Sequence, residues 1–547
     1  MFEELEKFIK SVMDERKHTG CSVAVVKGDE VVWAKGFGYA NVEEEIPATP
    51  ETIFRCASVT KPVVTTGLLQ WMEKGKFELD DPVNEHLKVT IKTKYANQPS
   101  IRDLLTHYSG LPTHVPPIFY DESEALTTEE WIKWVARVVR PRHKVWAYSN
   151  PAFDIVGYLI ELFSGDTYDK YMKANVYEPL EMDSSAIGPY PVDENRFTWG
   201  YGRDGLKGEV QPVKPYIFGA IPEPGSGGMM STCVDLAHFV IAQMNGGVYK
   251  GNRILKEGTL EEMQRLQAST GKSRSGMGLA WHRFMHHGHV VLRHTGGMPG
   301  VANHVAFYPD LKIGVCWLSN LQDGSGWRPP APTALQIVAG EHKPFDPEAI
   351  KAEKVPEEWS RVAGIYGSPG QTTTVRVEGE YLVMGEEDAK VYLEKICDGV
   401  YMIHGGLNDG YEVIFEYDEK GKARQFDLGT SVHPRYLVGT WHVAHTTNPQ
   451  LYEAVLEIES ETEASFVNMD GEKIPITDFM IEDAEISGNF KSVTPREYAG
   501  WSRFTGNQLT AELELLYIEN ELIGRISLAR EGKDRPRSGI PITLTRH

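Results

Sequence analysis

Ser58-Val-Thr-Lys61 opens a helix-forming stretch that Gly75 stops, and the reading of these four residues organises the rest of the chain. The pattern predicts a helix over 58–74. Residues three apart share a helix face, so the Lys61 amine can reach the Ser58 hydroxyl. The helix N-terminus adds a partial positive charge that stabilises an anion forming on the serine. A lysine in a desolvated, cationic setting gives up its proton more readily and can then take one from serine. Read alone, Ser-x-x-Lys is a common pattern, and an ordinary helix cap is the competing reading. Two later segments supply partners. Tyr148-Ser-Asn150 ends an irregular stretch just before Pro151 opens a helix, setting a phenol and an amide side by side on a loop. His294-Thr-Gly-Gly297 ends a predicted strand, where glycine lets a substrate lie against the strand edge.

Working outward, Ser22–Val26 and Val31–Phe37 are β-rich runs separated by Lys-Gly-Asp-Glu, which reads as a hairpin. Further helices are expected at 101–107, 151–164 and 232–244, stopped at Gly110, Gly165 and Gly246. Ser231 or Thr232, followed by Asp235 before an apolar run, has the form of an N-terminal cap. The period then returns to strands at Met277–Phe284, His289–His294, Val301–Tyr308 and Ile313–Ser319. A strand pair at the start, several strands at the end and helices between them predict one antiparallel sheet whose halves enclose an inserted helical region.

The order Ser58-x-x-Lys61, Tyr148-x-Asn150, His294-Thr-Gly296 resembles the penicillin-recognising serine hydrolases. Flanking matches extend the resemblance: Phe54-Arg-Cys-Ala-Ser58, Leu104-Leu-Thr-His-Tyr-Ser-Gly-Leu111 and Gly228-Met-Met-Ser-Thr-Cys-Val-Asp235. Residues 1–340 are similar to the β-lactamase-like family, which includes class C β-lactamases, D-alanyl-D-alanine carboxypeptidases, D-aminopeptidases and related esterases. The resemblance implies an α/β (α+β) catalytic domain. It also implies that Ser58 attacks a carbonyl to form an acyl-enzyme, with Lys61 and Tyr148 relaying the proton. Asn150 would hold Lys61 and the acyl side-chain amide, His294 would add electrostatic support near Tyr148, and Thr295 would bind a substrate carboxylate or carbonyl. The backbone N–H groups of Ser58 and Gly297, with Gly296 beside them in the motif, would form the oxyanion hole. Tyrosine in the second motif and histidine in the third resemble the carboxypeptidase and aminopeptidase branch; most true β-lactamases carry lysine where His294 stands.

The chain has 547 residues, 41% hydrophobic, 24% charged and 10% aromatic, a composition that suits a folded protein. A formal charge of −21 disfavours nucleic acid and anionic membranes as partners. Residues 351–547 hold 34 acidic and 20 basic side chains, so two-thirds of the excess lies there. Phe2, Leu5, Phe8, Ile9, Val12 and Met13 fall at helical spacing among charges, which reads as an amphipathic helix and not a signal peptide. No run of about 18 apolar residues is present. Five cysteines without C-x-x-C spacing read as buried free thiols in a reducing compartment, and a cytoplasmic location is expected. No cofactor or metal is expected. The partners expected are a small-molecule or peptide substrate, with a homo-oligomer compatible with the sequence.

Gly340–Trp359 is rich in Pro, Glu and Lys without apolar period and reads as a linker. Beyond it come short alternating runs such as Thr372–Val377, Tyr381–Met384, Tyr411–Tyr417, Ala454–Ile458, Glu512–Tyr517 and Gly524–Leu528. Gly364-Ile-Tyr366 and Gly439-Thr-Trp441, 75 residues apart, each open such a stretch, which suggests two repeated modules. The expected plan is a catalytic domain over 1–342, a linker over 343–358, and two small all-β, lipocalin-like barrels over 359–436 and 437–547. The resemblance to D-aminopeptidases extends to this plan, since that group can carry two barrels after the catalytic domain.

Three functional readings follow. The first is a serine hydrolase cleaving amides of small peptides, D-residue-containing ones above all. The second keeps the same nucleophile for an ester or lactone. The third is a non-catalytic ligand-binding or penicillin-sensing protein, against which the intact Ser58, Lys61 and Tyr148 argue. His286-His-Gly-His289 has the look of a metal cluster but lies between two strands like an exposed hairpin tip. His107 reads as a residue at a helix C-terminus. Arg496-Glu-Tyr-Ala-Gly-Trp-Ser-Arg503 is a candidate gate over the active site.

Overall fold

A computed structural model describes residues 1–93, 98–112, 127–135, 138, 146–188, 193–203, 209–213, 225–269, 273–322, 328–343, 345–368, 371–385, 390–405, 408–417, 421–428 and 432–434. It also describes the strands 439–446, 455–458, 464–467, 473–482, 485–493, 508–518, 521–530 and 539–545. The chain divides into two compact units, Met1–Ser269 with Arg274–Pro344, and Thr270–Ser273 with Phe345–His547.

In the first unit the N-terminal hairpin is formed by Gly20–Lys27 and Glu30–Asn41. It turns at Gly28, whose φ of 68° suits a residue without Cβ. Gly20–Lys27 then pairs on its other side with Ile313–Ser319, Val23 opposite Trp317. That pairing joins the two ends of the unit into one eight-stranded antiparallel sheet. Its order is 276–277, 282–286, 289–298, 301–308, 313–319, 20–27, 30–41 and 46–47. Val301–Tyr308 and Ile313–Ser319 are buried along their whole length, as strands covered on both faces must be. The helix Cys233–Met244 packs where Ala24, Val26, Phe307, Cys316 and Leu318 share its core. Phe2–Arg16 and Ala331–Ala339 contact each other, and the latter contacts the strands 301–308 and 313–319.

Between the halves lie the helices Thr60–Glu73, Ile101–Thr106, Thr128–Val135, Asn150–Ser164 and Cys233–Met244. Each well-formed start has a chemical reason. Ser100 and Asp103 make a reciprocal capping box. Ser149 caps the helix at Asn150. Thr232, not Ser231, caps the helix at Cys233 by accepting from the Asp235 N–H at 3.0 Å. The strand expected over Met277–Phe284 is instead broken into Gly276–Met277 and His282–His286. Leu279, Ala280 and Trp281 turn inward there and are fully buried, with Ala280 at φ 65°. Core burial overrode the strand pattern.

In the second unit Gly364–Ser368 and Gly439–Thr446 are the first strands of two eight-stranded antiparallel systems. The second closes into a barrel through pairing of Gly439–Thr446 with Gly539–Thr545. The first runs from Gly364 to Pro434 as a meander around Tyr366, Val375, Leu382, Tyr401, Phe415 and Phe426. Within the segment expected to be a linker, Asp346 caps a turn over Pro347–Ile350, and Phe345 stacks on His404 at 4.6 Å. The Asp-Pro pair supplies the start signal that apolar period alone could not show. The candidate gate 496–503 lies outside the described residues. Cys21, Cys56, Cys233 and Cys316 are buried free thiols, but Cys397 is exposed, since it ends a strand whose last residues face out. Among the described residues no helix is long and apolar enough to cross a membrane.

Candidate active site

Ser58 lies in a single 3-10 turn, Ala57–Val59, that runs directly into the helix Thr60–Glu73. The expected helix over 58–74 thus begins with a tighter turn. Ala57 has φ 49°, a conformation that costs an L-residue about 1–2 kcal/mol. Packed neighbours hold it there. Cys56 N–H donates to the Met229 carbonyl at 2.8 Å. The Thr60 hydroxyl donates to the Ala57 carbonyl at 2.6 Å and accepts from Met229 N–H at 3.1 Å. Asn303 Nδ2 donates to the Arg55 carbonyl at 2.8 Å.

Lys61 is fully buried. Its Nζ contacts Ser58 Oγ at 3.1 Å, Asn150 Oδ1 at 2.7 Å and the Ser226 carbonyl at 2.7 Å. The amine also lies over the rings of Tyr148 and Phe153, at 4.7 and 5.4 Å from their centroids. Burial pushes its pKa down to about 7, while the Asp154 carboxylate pulls the other way. Asp154 is itself buried, which pushes its carboxyl up; Ser226, Trp131 and Lys61 oppose that shift. Trp131 Nε1–H reaches Asp154 Oδ2 and Ser226 N–H reaches Oδ1, both at 3.2 Å. Asp154 therefore holds the very residue whose carbonyl receives the Lys61 amine.

Tyr148 hydrogen-bonds to Ser58, and burial raises its phenol above the ordinary value, so the group is protonated at neutral pH. The His294 ring stands 6.4 Å from that of Tyr148. His294 Nδ1 is 2.7 Å from the Thr295 carbonyl, which can only accept, so the proton sits on Nδ1. Burial, with His282 and Lys61 nearby, keeps the imidazole neutral. Any support it lends Tyr148 is that of a dipole, not of a cation. His282, 5.2 Å away ring to ring, is pushed down to about 3 for the same reason, burial first.

The strand His289–Met298 loses its pairing with His282–His286 beyond Arg293, so Thr295 to Gly297 run past the end of that neighbour. The glycines there have a purpose the sequence reading missed. A Cβ on Gly296 would strike the Cys56 carbonyl, and one on Gly297 the Arg328 guanidinium. Gly296 lets the strand press on the turn that carries Ser58, and Gly297 makes room for an arginine. Thr295 is half-buried and opposite His304.

Ser58, Lys61, Tyr148, Asn150 and His294 thus come together from three separate segments, with Thr295, Gly296 and Gly297 on the strand that carries His294. Asp154, Ser226 and Arg328 were not foreseen. Asp154 stands four residues after Asn150 on one helix, a spacing that could have flagged it. Ser226 acts through its backbone, and Arg328 arrives from a distant loop; neither leaves a local signal.

The histidine cluster is the tip of the hairpin between His282–His286 and His289–Met298, with Gly288 exposed as expected but His286 turned inward. His286 is buried and bonded to the Tyr308 hydroxyl, while His289 pairs with Asp310 at 2.6 Å. The turn itself is His287-Gly288, both with positive φ. Among the described residues no group of three or more His, Cys, Asp or Glu is placed to hold a metal ion.

Residues 5–339 match the family described as Beta-lactamase. PbpX of Bacillus subtilis (strain 168), named as a penicillin-binding protein, is 30% identical over 234 residues, 41% of this chain and 55% of that one. Protein flp of Staphylococcus aureus (strain N315) is 24% identical over 329 residues, covering 58% of this chain and 63% of its own. The match therefore spans less than two-thirds of either relative. Among solved structures, the octameric penicillin-binding protein homologue from Pyrococcus abyssi is 22% identical with a TM-score of 0.53, covering 99% of both chains. The D-amino acid amidase from Ochrobactrum anthropi SV3, complexed with D-phenylalanine, is 24% identical with a TM-score of 0.51 over 62% of this chain and 99% of its own. These two likenesses are likenesses of fold.

Proposed function

Because this chain belongs to the beta-lactamase family, we propose that it is a serine hydrolase working through an acyl-enzyme on amide bonds of small peptides, D-residue-containing ones above all. The observation that carries the reading is the buried Lys61 amine 3.1 Å from Ser58 Oγ, its pKa drawn down to about 7. An amine so poised accepts the Ser58 proton as Oγ attacks the substrate carbonyl. The oxyanion is received by the N–H groups of Ser58 and Gly297, each such donor typically contributing about 3–4 kcal/mol in the transition state. Tyr148, protonated and bonded to Ser58, passes its proton to the leaving amine; Lys61 restores it. In the second half the incoming water gives its proton to Tyr148 as Tyr148 passes its own to the neutral Lys61 amine, and Lys61 returns a proton to Ser58 Oγ as it leaves the acyl group. Asn150 holds Lys61 and the acyl amide. Thr295 binds the substrate carboxylate or carbonyl, and Arg328, lying against Gly297, supplies a cation on that side.

The preference for D-residues rests on the tyrosine and histidine forms of the second and third motifs and on the amidase of the same fold. A neutral His294 where most β-lactamases carry a lysine argues against antibiotic hydrolysis as the main role. Self-association is proposed on the same footing, since the Pyrococcus abyssi homologue is octameric. So is the division into 1–342, 343–358, 359–436 and 437–547.

A fluorophosphonate probe tests the nucleophile: wild type labels, and Ser58→Ala loses labelling and at least about three orders of magnitude in turnover. Equal labelling of the two removes Ser58 from the mechanism. D-alanine p-nitroanilide, L-alanine p-nitroanilide and p-nitrophenyl butyrate then rank the substrates. Activity confined to the ester replaces the peptidase reading by the carboxylesterase or lactonase one, which uses the same three residues.

A further inference from the structure

We propose that His107 is the positioning residue of Tyr148, holding the peptide on both sides of the phenol with its carbonyl and with the Nδ1 lone pair of a neutral imidazole. The proposal rests on the Ser58, Lys61 and Tyr148 reading above and adds the group that orients its third member.

Three contacts converge from this one residue. Ala147 N–H donates to the His107 carbonyl at 2.9 Å. Ser149 N–H donates to His107 Nδ1 at 3.0 Å. The imidazole lies on the Tyr148 ring, 4.3 Å between centroids and 31° between planes. The amides before and after Tyr148 therefore both end on His107, and the side chain between them is stacked on it. The loop is tied a second time to the same segment, for the Ser149 hydroxyl donates to the Pro112 carbonyl at 2.8 Å. That hydroxyl also accepts from Ala152 N–H at 3.2 Å, so the start of the helix carrying Asn150 and Asp154 hangs on the same anchor.

His107 can serve because it is fixed. It ends the helix Ile101–Thr106 at φ 63°, is fully buried, and has Phe153 at 5.1 Å and Trp146 at 5.9 Å, centroid to centroid. Since a backbone N–H only donates, Nδ1 must carry the lone pair and the proton sits on Nε2, the opposite tautomer to that of His294. A doubly protonated ring would oppose N–H to N–H and lose the Ser149 bond. Burial, Lys61 from the helix Thr60–Glu73 and His282 from the strand His282–His286 all hold the ring neutral. Displacing a reacting group by 1 Å costs about a hundredfold in rate.

Three variants separate orientation from packing. His107→Asn tolerates positive φ and offers Oδ1 where Nδ1 stood; His107→Gly tolerates positive φ and offers nothing; His107→Phe keeps the ring without the acceptor. With the better of D-alanine p-nitroanilide and p-nitrophenyl butyrate, His107→Gly and His107→Phe are expected to lose at least about tenfold in kcat with KM within twofold. Their rate of fluorophosphonate labelling should fall in step. His107→Asn is expected within about threefold of wild type. If His107→Gly does not fold, the Phe and Asn pair gives the same comparison. Wild-type kcat in a variant lacking the acceptor, or an Asn variant as slow as Gly and Phe, overturns the proposal. Failure of the underlying site reading shows separately, as labelling that survives in Ser58→Ala.

Discussion

At the scale of single residues the site is a balance between burial and charge around one amine. Lys61 needs burial to bring its pKa near neutrality, and it needs Asp154 to keep burial from taking it lower. If the neutral amine is the base, kcat/KM rises with pH through about 7, because the amine must first lose its proton. Asp154→Asn removes the charge that raises the Lys61 pKa, so the acid limb is expected to move to lower pH. A pH series on both proteins reads it directly, and an unmoved limb detaches Asp154 from Lys61. The variant should also lose about 1–3 kcal/mol of stability, since its single amide oxygen can accept from Trp131 Nε1–H or from Ser226 N–H but not both, leaving the other donor facing the amide NH2. Sequence spacing made Ser58 and Lys61 legible as a pair. It left Asp154 unread, because the meaning of a carboxylate on a helix depends on what faces it.

At the scale of elements, the turn that carries Ser58 shows how short pieces of backbone are made rigid. The helix that follows Ser58 could be read from its pattern, but the 3-10 turn and the positive φ of Ala57 could not. They are imposed by Met229 and Asn303, which close on the turn from elsewhere in the chain, and by the hydroxyl of Thr60 just after it. Thr60→Val keeps shape and volume but strips the hydroxyl, leaving the buried Met229 N–H and Ala57 carbonyl short of a partner. A loss of about 1–3 kcal/mol in thermal or denaturant unfolding is expected, together with slower Ser58 labelling. Loss of stability without any change in labelling would show that the turn keeps its aim unaided. Gly296 teaches the same lesson: the motif glycine was legible, but its reason, the Cys56 carbonyl pressed against the strand, belongs to packing. Where strands were read one by one, Val301–Tyr308 and Ile313–Ser319 emerged with the bounds their pattern predicted. The break at Leu279–Trp281 did not, because a buried turn looks like a strand in an apolar run.

At the scale of the whole molecule, Ser58, Lys61, Tyr148, Asn150, Asp154, Ser226, His294, Gly297 and Arg328 all lie in the first compact unit. Residues 1–344 expressed alone are therefore expected to fold and to keep Ser58-dependent fluorophosphonate labelling within about tenfold of the full chain. A folded fragment that no longer labels would mean that residues beyond 344 complete the site. The acidity read from the composition belongs mainly to the part that carries none of these groups, so net charge says little about the cleft. By itself the sequence determined the family resemblance, the Ser58, Lys61, Tyr148 and His294 set, the enclosing sheet and the two strand-rich systems that begin at Gly364 and Gly439. Local chemistry suffices for those: periodicity, caps and motif spacing are properties of neighbours along the chain. The tertiary structure decided the protonation of His294 and Lys61, the work of Asp154 and Ser226, the clamp of His107 on Tyr148, and the closure into a barrel of the strand system that begins at Gly439. Each depends on desolvation or on a partner more than twenty residues away, and a linear sequence carries no record of either.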